Sequence, residues 1–462
     1  MGNRTRRPDL DTLYTVNEDG SRNFLHPADV RGRWQVRKNL VWAVLLVVYL
    51  ALPFVKIGGH PAVNFDIANR TAHLFGATFT NQDFHLMFFL LLGFGLTLFV
   101  VTSVWGRIWC GFACPQTVFM EGVFRRIERW IEGERVTRIR RNMGPWTGDK
   151  IWRKGLKYLV FLALCWFFAH AFIAYFMPVE GLMDAVRRPP SEHLAAFIWG
   201  LAWTLILFFN YTWFREQTCT IICPYGRLQS TLVDAETINI GYDEKRGEPR
   251  GPAGKAEGDC VDCYRCVQVC PTGVDIRNGL QMECIGCANC IDACDEIMDK
   301  LGRPRGLVRY DSDKGFAGGK TTVLRGRLII YLLAFAVGTA AFAWRAGERT
   351  FFQVTSLRSQ GLPFTMQEGT IRNLYTLFVQ NKSDLERTFL IGAGDDVSVL
   401  GDGVEFIIPQ DRVRLGALAE TRVPLFAILP RDAYTAPVDF HLAVTDSATG
   451  TVQQVQVRFR GP

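Results

Sequence analysis

The chain of 462 residues lacks several features that would place it quickly. It contains no Cys-x-x-Cys-His run, which excludes covalently attached haem c, and no Gly-rich nucleotide fingerprint, so the sequence gives no support for a bound flavin or nicotinamide. No cysteine falls in segments 58–83, 178–193 or 346–462, although thirteen occur elsewhere. The amino terminus carries Arg4, Arg6 and Arg7 and stays hydrophilic as far as Lys38. That shape does not fit a cleaved signal peptide, so the first apolar run is retained. A net charge of +7 would suggest nucleic acid in a soluble protein, but here the basic residues cluster beside apolar runs, which argues against that partner.

What is present points to a membrane. Hydrophobic residues make up 48% and aromatics 13% of the chain, high for a soluble protein. Apolar runs near the ~20 residues that span a bilayer occur around 40–57, 84–105, 156–177, 194–214 and 328–344, predicting five transmembrane helices. The segment before the first holds eight Lys or Arg and 106–155 holds eleven, whereas 58–83 has only Arg70 and 178–193 only Arg187 and Arg188. The amino terminus is therefore expected on the cytoplasmic side. The predicted organisation is a cytoplasmic segment 1–39, four membrane helices in 40–214, a cytoplasmic segment 215–325, a fifth helix 326–345 and an outer domain 346–462. In that outer domain, short runs such as Leu374–Val379, Val404–Ile408, Leu425–Leu429 and Val452–Val457 are separated by turn-rich stretches. They predict an immunoglobulin-like β-sandwich without the Cys-Trp-Cys hallmark of antibody domains. With no metal box visible, a partner-binding or homodimerising role is its default reading.

Eight cysteines fall between Cys260 and Cys294. Cys260, Cys263, Cys266 and Cys270, followed by Pro271, show the x2, x2, x3 spacing of bacterial ferredoxins, and Cys284, Cys287, Cys290 and Cys294 repeat it. The interlocked assignment gives Cys260, Cys263, Cys266 and Cys294 to one [4Fe-4S] cluster and Cys284, Cys287, Cys290 and Cys270 to the other. Disulfides or paired zinc sites are the competing readings, but zinc needs neither the x3 cysteine nor Pro271, and disulfides need an oxidising compartment.

Two further motifs close membrane helices: Cys110-Gly-Phe-Ala-Cys114-Pro115 after the second and Cys219-Thr-Ile-Ile-Cys223-Pro224 after the fourth. Cysteines four apart on a helix share a face, so four soft ligands could converge at the cytoplasmic boundary. Cu(I), a third iron–sulfur cluster, zinc, reversible disulfides, or plain packing of small apolar side chains (as assumed for the isolated Cys165) are all open at this point. After the first motif, 118–131 reads as an amphipathic helix on the inner membrane surface, with Phe119, Val123, Phe124, Ile127, Trp130 and Ile131 opposite Arg125, Arg126 and Arg129. His60, His73, His85, His170 and His193 map to the outer half, and with Met177 they raise a haem or outer copper site against the plainer reading of local hydrogen bonding.

The combination of two Cys-x3-Cys-Pro motifs, a double [4Fe-4S] segment, a fifth helix and an outer sandwich resembles the cytochrome oxidase accessory protein family called CcoG, FixG or RdxA, over nearly the whole chain. The resemblance implies a cupric reductase of the bacterial inner membrane, with a periplasmic sandwich, that converts Cu(II) to Cu(I) for assembly of a cbb-type oxidase. It implies copper at Cys110, Cys114, Cys219 and Cys223 and iron–sulfur clusters on the other eight. The implied partners are a cytoplasmic electron donor, a copper chaperone or copper-transporting ATPase, the oxidase assembly machinery and membrane lipid. The Cys-x3-Cys-Pro pair also resembles NapH-type quinol dehydrogenases, which gives a rival reading; a non-enzymatic copper-binding assembly factor is another.

Overall fold

The computed structural model describes residues 22–67, 69–80, 83–254, 257–358, 362–394, 396–400 and 403–462, so Arg4, Arg6 and Arg7 lie outside the described residues. It divides into two compact units, residues 1–67 with 87–342, and 68–86 with 343–462.

Among the described residues, four helices are long and apolar enough to cross a membrane: Phe84–Trp105, Gly148–Ile173, Leu194–Phe214 and Gly326–Gly347. Their side chains are apolar around most of the circumference, as lipid-facing helices require. The protein is a multi-pass membrane protein. The first apolar run behaves differently from its expected 40–57 bounds. Its helix is Arg33–Ala51, beginning earlier and ending earlier. Leu52 still has helical backbone and donates to Val48 O, but Pro53 has no N–H to continue the ladder, and the chain then turns so that Lys56–Ile57 pairs with His60–Pro61. The apolar part from Leu40 to Ala51 covers only about 18 Å, against ~30 Å of hydrocarbon.

The start of this helix is fixed from elsewhere. The carboxylate of Asp292 accepts from the backbone N–H of Trp34 at 3.2 Å and of Gln35 at 2.8 Å, a cap supplied by a residue that lies between Cys290 and Cys294. Gly32 permits the approach, since a Cβ there would stand 2.3 Å from the Asp292 carboxyl carbon.

The 118–131 stretch corrects the surface-helix expectation. Phe119, Val123, Phe124 and Ile127 pack into a core with Phe161, Cys165, Phe168 and Tyr211. Phe124 lies 4.9 Å from Phe161 and stacks on Tyr211 at 4.2 Å, while Trp130 is exposed. Most of the apolar face thus meets protein, and Arg125, Glu128 and Glu132 are buried in ion pairs described below.

In the second unit, two antiparallel sheets share one core. One orders Glu405–Ile407, Glu420–Pro430, Thr370–Asn381 and Phe352–Arg358, with Thr365–Gln367 also on Thr370–Asn381. The other orders Arg412–Leu415, Arg387–Ala393, Val438–Asp446 and Val452–Phe459. Alternation does the sorting: Ile371, Tyr375, Leu377 and Val379 point inward from one strand and meet Phe352, Phe389, Phe440 and Phe459 in the core. The loop ahead of the first membrane-length helix joins this unit. Lys382 Nζ reaches the buried Asp83 carboxylate at 2.7 Å, and Thr78 Oγ1 donates to Asp384 at 3.1 Å.

Candidate electron-transfer site

The cysteine-rich segment is built twice. Tyr264, between Cys263 and Cys266, and Ala288, between Cys287 and Cys290, both adopt left-handed backbone (φ 57° and 62°) and start the helices Arg265–Gln268 and Asn289–Lys300. Asp262 and Gly286, each preceding the middle cysteine, share that region at φ 50° and 64°. For non-glycine residues this conformation costs about 1–2 kcal/mol each, and it curls the chain so that successive sulfurs turn to one centre. One cavity is lined by Cys260, Cys263, Cys266 and Cys294 together. Cys270, Cys284, Cys287 and Cys290 form the second group, each feeling the charge of others in the set.

Apolar residues Ile240, Ile276, Ile291, Leu307 and Val308 surround the segment. Burial pushes the Cys284 and Cys287 thiols up to about 11 and Cys294 to about 12. Buried sulfurs in such a setting are anionic only against a cationic centre, which fits thiolates on iron. Lys38, almost fully buried, lies close enough to favour the Cys287 thiolate, and Arg107 does the same for Cys284.

The two Cys-x3-Cys-Pro motifs share a backbone design. Cys114 N–H donates to Trp109 O and Cys223 N–H to Thr218 O, both at 2.9 Å and both five residues back. Proline forces the preceding cysteine out of helical geometry, so Cys114 (ψ 126°) and Cys223 (ψ 111°) are extended and cap the helices Pro115–Phe119 and Pro224–Leu232. The N–H groups of Gln116 and Thr117 then face the Cys114 sulfur. The structure brings Cys110, Cys114, Cys219 and Cys223 into one neighbourhood: Cys114 and Cys223 act on Cys110, Cys223 acts on Cys114, and all three act on Cys219. Burial, reinforced by Cys114, pushes Cys110 to about 12, and burial likewise raises Cys114 and Cys219. Cys110 Sγ lies 3.6 Å from the acceptor Oε1 of buried Gln229. Among the described residues no three His, Cys, Asp or Glu side chains are drawn into single-ion coordination, at either the eight or the four cysteines.

What couples the two cysteine groups is a pair of glycines the sequence reading passed over. A Cβ on Gly111 would stand 2.7 Å from Cys287 Cα and 2.8 Å from Gly286 O. A Cβ on Gly286 would stand 2.9 Å from Arg107 O. Backbone meets backbone, and only glycine fits. Arg107 ties the same junction, donating to Met282 O and to Gly226 O, while Tyr310 donates its hydroxyl to Gly286 O at 2.7 Å. A glycine directly after the first cysteine of a motif was the available signal.

A buried ion network, also missed, holds the second motif. Glu128 and Glu132 are 1% exposed. Glu128 pairs with Arg215 at 2.9 Å, Lys157 at 3.3 Å and Arg138 at 3.5 Å, and Glu132 pairs with Lys157 at 2.9 Å. Arg125 reaches Glu216 at 2.7 Å, three residues before Cys219, and also donates to Pro271 O at 3.2 Å. Several charges of each sign on neighbouring turns carry no spatial information in one dimension.

The outer histidines do not form a ligand set among the described residues. His170 Nδ1 pairs with Trp166 O at 2.8 Å and its ring lies against Trp166, whereas Met177 packs with Ile173, Ala174 and Leu182. His73 bonds Thr78 at 3.0 Å, His193 meets Asp184 at 3.4 Å, and His60 and His85 are engaged elsewhere.

Comparison with known proteins agrees with this anatomy. Residues 214–313 match a model described as a 4Fe-4S dicluster domain, and residues 86–134, which include Cys110 and Cys114, match a 4Fe-4S binding domain. Residues 342–462 match the IG-like fold at the C-terminus of FixG, a candidate oxidoreductase. Protein RdxA of Cereibacter sphaeroides is 36% identical over 95% of this chain and 93% of its own, and nitrogen fixation protein FixG of Rhizobium meliloti is 33% identical over 99% and 97%. Protein RdxB of Cereibacter sphaeroides is 36% identical over 85% and 86%. A crystal structure of a FixG-related protein from Vibrio parahaemolyticus covers 24% of this chain and 96% of its own, at 17% identity and a TM-score of 0.20. At 33–36% identity to these relatives over 85–99% of its length, the chain belongs to the FixG/RdxA/RdxB family.

Proposed function

We propose that this protein is a membrane cupric reductase, taking electrons on the cytoplasmic side and delivering them singly to Cu(II) at Cys110, Cys114, Cys219 and Cys223. The observation that carries the reading is the backbone contact of Gly111 with Gly286 and Cys287, which joins the boundary cysteines to the Cys270, Cys284, Cys287, Cys290 set. When bound to the eight thiolates, [4Fe-4S] clusters supply one-electron carriage. Cys260, Cys263, Cys266 and Cys294 are assigned to the first and the other four to the second. Lys38 and Arg107 place positive charge beside the second set, which favours its holding an added electron. The four boundary sulfurs bind copper, and their softness favours the Cu(I) product over Cu(II). Each Cu(II) takes one electron and leaves as Cu(I).

In the arrangement we favour, the first apolar run also crosses the bacterial inner membrane, its roughly 18 Å of apolar helix extended by the residues after Ala51 and by local thinning of the bilayer, and with the four longer helices it makes five spans. The Lys and Arg excess before the first helix and in 106–155 keeps the amino terminus and the cysteine-rich segment cytoplasmic, and the immunoglobulin-like domain is then periplasmic. Cu(I) passes to a copper chaperone or copper-transporting ATPase for cbb-type oxidase assembly, and the outer domain is the surface for assembly partners or a second copy.

The test is stopped-flow spectroscopy of anaerobic, dithionite-reduced protein mixed with Cu(II), compared with a variant carrying Ser at Cys110, Cys114, Cys219 and Cys223. Rapid cluster oxidation with Cu(I) formation in the native protein alone is the expected result. Equal rates in both would remove the boundary cysteines from the site. The 86–134 match supports a second reading, in which these four hold a third cluster. Iron content separates the two, at about eight atoms per chain for two clusters and about twelve for three.

A further inference from the structure

Lys38 is a buried ammonium that meets no carboxylate of its own chain. It is 1% exposed, and among the described residues its polar contacts are Asn289 Oδ1 and, 5.5 Å from the nitrogen, the face of the Trp42 ring. Both offer partial charge only. Lys157, buried to a similar degree, is by contrast paired with Glu128 and Glu132, and Lys382 with Asp83. An ammonium taken out of water is strongly disfavoured unless an opposite charge meets it, so the countercharge of Lys38 has to come from outside the polypeptide.

The fold aims this charge at the second set of cysteines. Asp292 caps the Arg33–Ala51 helix at Trp34 and Gln35, which fixes its register, and Lys38 follows Trp34 by one turn. Asn289, directly before Cys290, accepts from Lys38 and donates its Nδ2 to Val269 O at 3.2 Å, directly before Cys270. Lys38 therefore stands against the loops of Cys270, Cys287 and Cys290. Four thiolates outweigh the positive core of a [4Fe-4S] cluster, so a loaded set is the anion that Lys38 lacks.

The other charges around the two sets are balanced or of opposite sign. At Cys284, Arg107 is opposed by Glu283, and Glu121, which acts on Cys287, is itself paired with Arg125. Asp292 is met by the two helix N–H groups that it caps. Lys38 is thus the excess charge at the second set. At the first, Arg277 faces two carboxylates, Asp275 at 2.6 Å and Asp262 at 2.5 Å. Asp295, next to Cys294, is buried, and Arg33 at 3.7 Å is mostly exposed. The excess there is negative.

We infer that Lys38 is the countercharge of the second set and, by favouring an added electron there, makes electrons that enter at the exposed Cys263 of the first set collect beside Gly111. The inference rests on the electron-transfer part of the proposed function and holds whichever metal the boundary cysteines carry. In the step, one electron leaves the centre on Cys260, Cys263, Cys266 and Cys294, which is oxidised, for the centre on Cys270, Cys284, Cys287 and Cys290, which is reduced. No bond forms or breaks, and no proton moves. The first set is refilled by a one-electron reductant at Cys263, the ligand of that set open to solvent. Positive charge beside a cluster raises its potential and negative charge lowers it, so the two sets are ordered by these side chains.

The experiment is an anaerobic redox titration of the full-length, cluster-loaded protein in detergent, with dithionite as reductant and the electron paramagnetic resonance of the clusters as readout. Lys38→Met removes the charge at nearly the same length, Lys38→Arg keeps it, and Asp295→Asn removes a negative charge from the first set; iron content checks loading. Lys38→Met should lower the higher of the two midpoint potentials by at least about 59 mV, a tenfold loss of affinity for one electron, and leave the lower in place. Lys38→Arg should keep both near native, and Asp295→Asn should raise the lower one alone. Unmoved potentials in a fully loaded Lys38→Met protein, a shift confined to the lower potential, equal shifts in the Met and Arg variants, or an Asp295→Asn effect on the higher potential would each overturn the inference. If Lys38→Met loses about four of about eight irons, full loading of Lys38→Arg supports the countercharge, whereas loss in both makes Lys38 a packing residue and overturns it. Native clusters that dithionite cannot reduce would instead remove the electron-transfer reading itself.

Discussion

Replacing Gly111 by Ala tests the junction between the two cysteine groups. The new methyl would stand 2.7 Å from Cys287 Cα, 2.8 Å from Gly286 O and 2.9 Å from Cys287 N, all backbone atoms that no rotamer change can move. Ordinary contact needs about 3.4–4 Å, so the cluster loop must retreat by roughly 1 Å. Overpacking of this kind costs about 1–3 kcal/mol. Helix propensity works the other way, since Ala is better than Gly in a helix by about 1 kcal/mol and Gly111 sits within Ile108–Phe112. The net expectation is a loss of about 0–2 kcal/mol together with a displaced loop. A 1 Å displacement at a reacting centre lowers rates by up to about a hundredfold, so cluster oxidation by Cu(II) should slow between about tenfold and a hundredfold. The assay is stopped-flow bleaching at matched iron content. Gly95→Ala is the control: nothing lies within 4 Å of its Cβ, and it should leave the rate unchanged. A Gly111→Ala protein with intact clusters and native rates would refute the argument that this contact carries the electrons.

Glu128→Gln should destabilise the membrane unit by about 3–5 kcal/mol, because Arg215, Lys157 and Arg138 would be left buried around a neutral group; thermal unfolding in detergent measures it. Asp292→Ala removes the cap on Trp34 and Gln35 and should cost about 1 kcal/mol, with faster amide exchange at the start of the Arg33–Ala51 helix as the local readout. In the β-rich unit, burial alone would push Asp446 up, but hydrogen bonds from Ala448 N–H and Thr449 Oγ1 and the Arg387 charge outweigh it and hold the carboxyl below its usual range. A depressed carboxyl contributes its stability above the unfolded value near ~3.9 and loses it as pH falls toward the folded one. Asp446→Asn should therefore lower the melting temperature at neutral pH and flatten the acid dependence below about pH 4.

Much of this molecule is legible in one dimension, for physical reasons that are local. Cluster ligation depends on spacing along the chain, so the x2, x2, x3 runs at Cys260–Cys270 and Cys284–Cys294 announce iron–sulfur chemistry before any fold is known. Crossing a bilayer depends on length and apolarity, so runs such as 84–105 and 194–214 stand out; alternation likewise marks the strands of 346–462. The proline after Cys114 and Cys223 fixes their extended backbone by a steric clash with the next ring, also a neighbour effect.

The remainder is decided by residues that meet only in space. Asp292 caps a helix through Trp34, 258 residues earlier, and Gly111 touches Cys287 because two backbones cross there with no room for a side chain. The 118–131 stretch has the pattern of a helix lying on lipid, yet its apolar face found Phe161 and Tyr211, since hydrophobic burial does not distinguish lipid from protein. Its charges were readable as a list, but their pairing required the fold: a carboxylate such as Glu128 can be buried only where Arg215, Lys157 and Arg138 arrive from three different elements, and no sequence spacing encodes that arrival.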